Sequence, residues 1–268
     1  MRSSQPLARR PGRAVQPLKL LLAVCLSLSF PLTASHARDL VVFGEPTLMN
    51  ALQRVGAAWR ERSGLRVNVF VAPSDLSLAQ IQRGARCDIV FALAGPATDD
   101  AERQGIIRFK AIAPILRNSL VLVARFGVAK PISSPDRAEL ATFVKGKRLA
   151  IANPDRDLAG TYGLRWLREI GLASEDDKNL IVAESAAGVA TVLADNAAQL
   201  GIVYATDVAT RPDVVVLMTL PGGNDPAIQY VAGEAMDPQS ATKPFFDFLG
   251  SREAQVILQA AGLQVASE

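Results

Sequence analysis

The sequence predicts an α/β protein of two lobes, each a mostly parallel sheet flanked by helices, with a ligand cleft between them. Three observations carry this expectation. Short apolar strands alternate with amphipathic helices, which is the pattern of βαβ units. The alternation falls into two series. Two extended segments, "SLVLVA" and "IQYVAG", join the series, so the chain enters a second lobe near residue 118 and returns near 228. The expected division is 38–117 with 229–268 for lobe one, and 118–228 for lobe two. One continuous sheet is the competing arrangement that the same pattern allows.

The elements follow in order. Residues 1–37 stand outside the fold. Arg2, Arg9, Arg10, Arg13 and Lys19 precede the apolar run "LLLAVCLSLSFPL", which is too short for a comfortable bilayer span. "TASHA" then offers Ser35 and Ala37 at the small-residue positions of a cleavage site, so the segment reads as a secretory signal peptide cut after Ala37. The pair Arg9-Arg10 hints at twin-arginine export, but "RRPGR" lacks the apolar residues that usually follow. Cys25 belongs to the signal.

Strand "DLVVFG" is followed by a helix in which Leu48, Leu52, Val55 and Trp59 share one face, ended by Gly64. Strand "RVNVFVA", helix "LSLAQIQRG" and strand "CDIVFAL" complete the first series. The second begins after "RNSLVLVARF", with Ser134 as N-cap and Pro135 opening a helix. Strand "RLAIA", helix "GTYGLRWLREIG", strand "NLIVA", helix "GVATVLAD" and strand "LGIVY" follow. "IQYVAG" returns, and two short helices close the chain, the first ending near Gly250.

Composition excludes several functions. The whole chain carries 29 Lys and Arg against 26 Asp and Glu. Five of the basic residues and none of the acidic ones lie in 1–37, so 24 basic residues remain and the charge becomes −2. The basic balance is an export signal, and nothing in the remainder resembles a nucleic-acid-binding stripe. The single His, His36, leaves with the signal, and Cys87 is the one Cys left. A His/Cys metal cluster, a Ser-His or Cys-His nucleophile and an internal disulfide are thereby excluded. Cys87, in "RCDIVFA", reads as a buried inert thiol. No cofactor is implied.

The strand-to-helix turns hold the candidate binding groups. Thr47, in "FGEPTLMNAL", and Ser74, in "VAPSDLSLAQI", are expected N-caps that set a hydroxyl beside free helix N–H groups. Ala159 and Gly160, in "ANPDRDLAGTYG", and Ala186, in "AESAAGVATVL", open helices with small side chains that leave N–H groups exposed. Tyr204 ends the strand "LGIVY" where such sheets present ligands. All are neutral donors, a set suited to a compact anion. Each alone also fits ordinary capping or a rim tyrosine.

Read in order, these stretches resemble the periplasmic molybdate-binding proteins of ABC transporters, a type II periplasmic binding protein family. "VVFGEPTLMNALQRV", "GARCDIVFAL", "RNSLVLVA", "LAGTYG" and "AQLGIVYATD" carry the likeness over nearly the whole chain after the signal. The resemblance implies a monomeric periplasmic receptor that captures molybdate or tungstate in the cleft and delivers it to an ABC permease, without catalysis. It implies a ligand set of Thr47, Ser74, the amides of Ala159 and Ala186, and Tyr204, with molybdenum present only as the bound oxyanion. Two turns depart from the family. Glu45-Pro46 precede Thr47, and Asp75 follows Ser74. A carboxylate aimed at a dianion repels it, so Glu45 and Asp75 either turn away or serve another ligand. A different oxyanion or small organic acid, an extracytoplasmic sensor, and a carboxylate enzyme using Glu45 or Asp75 are the alternatives.

Overall fold

The computed structural model describes residues 38–109, 116–133, 136–172, 178–220 and 228–265. The signal segment lies outside them, as do Ser134 and Pro135. The helix expected there is capped instead by Asp136, whose side chain accepts from the Glu139 amide while Glu139 reaches back to the Asp136 amide. This reciprocal pair satisfies two N–H groups that the helix end would otherwise leave open.

Two sheets form. The first contains β1 (Leu40–Gly44), β2 (Val67–Val71), β3 (Ile89–Leu93), β4 (Ile107–Phe109), β5 (Leu116–Arg117), β11 (Gln229–Ala235) and β12 (Gln264–Val265), in the order β12-β5-β11-β3-β1-β2 with β4 also on β11. The second is β10-β6-β9-β7-β8, from β6 (Leu120–Arg125), β7 (Leu149–Ala152), β8 (Leu180–Ala183), β9 (Leu200–Tyr204) and β10 (Val214–Thr219). Each sheet has a three-strand parallel core, β2-β1-β3 and β8-β7-β9. The joining segments add antiparallel strands: β11 lies against β3, and β6 against β9.

Helices α1 (Met49–Ser63), α2 (Ser74–Gln82) and α3 (Pro96–Arg103) belong to the first series, and α4 (Arg137–Val144), α5 (Leu158–Glu169), α6 (Ala186–Ala194) and α7 (Ala205–Val208) to the second. α8 (Thr242–Leu249) and α9 (Arg252–Ala260) follow β11. The apolar face of α1 is buried as its spacing requires. Its Trp59 meets Phe245 edge-on at 5.5 Å, which locks α8 onto the first lobe. Gly64 ends α1 with φ 76, a left-handed conformation costly for other residues. Cys87 is buried and its thiol is pushed up to about 12 by desolvation, as expected of an inert position.

The two passages between sheets touch. The Asn118 amide donates to Ile228 O at 3.0 Å, and the Leu220 amide to Leu120 O at 2.9 Å. The fully buried Asn118 side chain donates to Thr206 Oγ1 at 2.9 Å, ahead of the second sheet's β10. It also reaches Tyr230 OH, on β11 of the first sheet, at 3.4 Å.

Candidate functional site

The loops after β1, β2 and β3 face the start of α5 and the end of β9 across a cleft of about 460 Å³. Glu45, Thr47, Ser74 and Asp75 line one side, and Arg156, Asp157 and Tyr204 the other. On this measure about 10–15 Å³ already holds a water, so the cleft is wider than a five-atom oxyanion needs.

On the first side, both hydroxyls are engaged otherwise than in capping. Pro46–Leu48 form a 3-10 turn, which moves the start of α1 to Met49 and leaves Leu48 at its cap. The Thr47 hydroxyl instead shares a hydrogen bond of 2.8 Å with Tyr230 OH. Ser74 is the first residue of α2 rather than its cap, because Pro73 precedes it there. Its amide donates to Glu45 Oε1 at 2.6 Å and its hydroxyl to the same oxygen, while that hydroxyl accepts from the Leu93 amide at 2.8 Å. Glu45 therefore turns inward onto Ser74. Burial raises its carboxyl above the usual range, the two Ser74 bonds oppose this, and the Asp75 charge adds to it. Asp75 sits in the first turn of α2, where the helix dipole favours a negative charge.

On the second side, the amides expected to be exposed are covered. Asp157 caps α5, and its Oδ1 accepts from the Ala159 amide at 2.9 Å and from Tyr204 OH at 3.3 Å. Its Oδ2 accepts from the Ala186 amide, at the start of α6, at 2.9 Å. Three of the five anticipated donors, from three separate elements, thus converge on one carboxylate. Gly160 makes this possible, because a Cβ there would lie 2.3 Å from Ala152 O, and only a bare backbone lets α5 start so close to β7. Burial drives the Tyr204 hydroxyl well above the ordinary range, and the neighbouring Asp157 charge drives it further. Asp207 is pushed up to about 6, first by burial and then by Asp157, and its buried Oδ2 has no hydrogen-bond partner among the described residues.

The structure thus gathers Ala159, Ala186 and Tyr204 at one point, and sets Thr47 and Ser74 on the facing wall. Sequence reasoning missed Asp157, Tyr230 and Asn118. Asp157 was legible in "DRDLAG" as an acidic residue two places before Ala159, the usual position of a cap. Tyr230 and Asn118 meet Thr47 and Thr206 only through long-range pairing, which leaves no local signal. Chemically, the second wall is an anion cradle built from two helix N-termini and a phenol.

Residues 40–264 match the family model described as bacterial extracellular solute-binding protein. The chain belongs to this family. Among solute-binding proteins, it is 28% identical over 244 residues to the molybdate-binding protein ModA of Escherichia coli strain K12, covering 89% of this chain and 95% of that one. The periplasmic molybdate-binding protein of Azotobacter vinelandii shares the solute-binding fold, with a TM-score of 0.63 at 20% identity over 85% of this chain and all of the other. An aconitate isomerase of a Pseudomonas species is also similar, 23% identical over 257 residues, with 91% of this chain and 95% of that one covered.

Proposed function

We propose that this solute-binding protein captures a tetrahedral oxyanion, molybdate or tungstate, in the periplasm and hands it as a monomer to an ABC permease. The observation that carries this reading is the convergence of the Ala159 and Ala186 amides and the Tyr204 hydroxyl on a single anionic group. Thr47 and Ser74 would complete the ligand set when the lobes, taken as 38–117 with 229–268 and 118–228, hinge together. The molybdate-binding relatives support the same reading. Selection against sulfate would come from cavity size, because the charge and shape are alike. Calorimetry on residues 38–268 with molybdate, tungstate, sulfate and phosphate tests it. Saturable heat with molybdate and tungstate is expected, and binding of sulfate without molybdate overturns it.

Binding without catalysis is part of the proposal. The chain after the signal has no His and one buried Cys, and two of the three cleft carboxylates, Glu45 and Asp157, already serve structural donors. Incubation with aconitate should leave its proton NMR spectrum unchanged.

A second reading is favoured by two of the three carboxylates on the cleft, Glu45 and Asp157. They would suit a small organic acid that offers hydroxyl or amine donors. Glu45→Ala separates the two. Molybdate affinity holds or rises if Glu45 is a bystander, whereas a ligand read by Glu45 binds more weakly.

A further inference from the structure

We infer that Asp157 is a tethered rival of the ligand: its carboxylate fills the second wall's anion seat, and an arriving oxyanion must expel it. The inference rests on the oxyanion reading above and specifies how that site is regulated and what it rejects.

The geometry leaves little choice. Each backbone N–H carries one proton, and those of Ala159 and Ala186 both point at Asp157. They cannot serve a second anion while the carboxylate stays. The tether makes this rival effective, because it is already held at the seat and has no encounter to wait for. Yet it can leave. Asp157 is partly exposed and lines the cleft, so a side-chain rotation takes it into open space, and the cost is one helix cap. The charges around it disfavour its staying beside a dianion. Asp207 adds a carboxyl on its own wall, Glu45 and Asp75 line the facing one, and Arg156, the cation on the lining, reaches Glu184 at 3.5 Å.

Specificity follows from the same competition. A simple monocarboxylate offers two oxygens, which is no more than Asp157 already supplies. A tetrahedral dianion offers four, enough to engage both walls. Asp157 is therefore a specificity-determining residue that filters out monocarboxylates.

The test titrates residues 38–268 and two variants with molybdate. Asp157→Asn keeps a good cap but removes the charge. It should bind molybdate at least tenfold more tightly than the natural chain, with unfolding curves showing that it is folded. Asp157→Ala vacates the seat, so millimolar acetate should weaken molybdate binding in this variant and leave the natural chain unaffected. Equal or weaker molybdate binding by Asp157→Asn overturns the inference, as does acetate competing equally in both chains. If neither the natural chain nor either variant binds any oxyanion, the oxyanion reading itself fails and the inference falls with it. Natural-chain binding without the gain rejects the rival role alone.

Discussion

Tyr204 is the residue on which both readings of the cleft converge. Its hydroxyl sits at the end of a buried strand and donates to an anion. Tyr204→Phe should weaken molybdate binding by about tenfold, the low end for a hydrogen bond to a charged group, because Asp157 loses the same donor. Titration calorimetry measures it. Asp207 gives a pH test. Its folded-state value, about 6, lies above the ordinary 3.8, so the native state keeps a proton that the unfolded chain has released. That stabilisation is complete below the ordinary carboxyl range and is lost as pH rises through about 6. Asp207→Asn should therefore gain stability over the natural chain at pH 8, by up to about 3 kcal/mol, and little at pH 4, as read by urea unfolding. At this scale the sequence told much. Thr47, Ser74 and Tyr204 all border the cleft, since side chains after parallel strands have few places to go. It told less about partners, because which carboxylate a donor meets depends on chain folded from elsewhere.

Among the elements, the start of α5 is the most tightly specified. Gly160→Ala would press a methyl carbon onto Ala152 O and push the helix off β7. A loss of about 1–3 kcal/mol is expected from such overpacking, together with weaker oxyanion binding, because Ala159 moves with it. Thermal unfolding and calorimetry check the two effects. The strands and helices read from periodicity are present wherever one face is apolar, as in α1 and β9. The elements that went unread have physical reasons. α3, "PATDDAER", is polar and buries only Thr98 and Ala101. β10 is an edge strand with an irregular register between Val216 and Met218. β4, β5 and β12 are three residues or fewer, too short for any period to show.

Across the whole molecule, Asn118 ties the two sheets together through Thr206 and Tyr230. Asn118→Ala leaves two buried hydroxyl groups without that donor and should cost about 1–3 kcal/mol. The accompanying prediction is a change in the compaction that molybdate produces, read by small-angle scattering. The two-series architecture was legible because alternation is a long-range average, robust to missed elements. The joining strands were legible too, but not their antiparallel pairing, because their partners are set by topology. That topology also orders assembly. β11 sits between β3 and β5, so the first sheet lacks an inner member until residue 235 has been made. The second sheet uses one uninterrupted stretch, 120–219. As the polypeptide emerges N-terminus first, the later-encoded half can consolidate while the earlier one waits for its missing strand. Chains cut before residue 229 should therefore retain protease-resistant α5–β9 fragments and lose the Trp59 core.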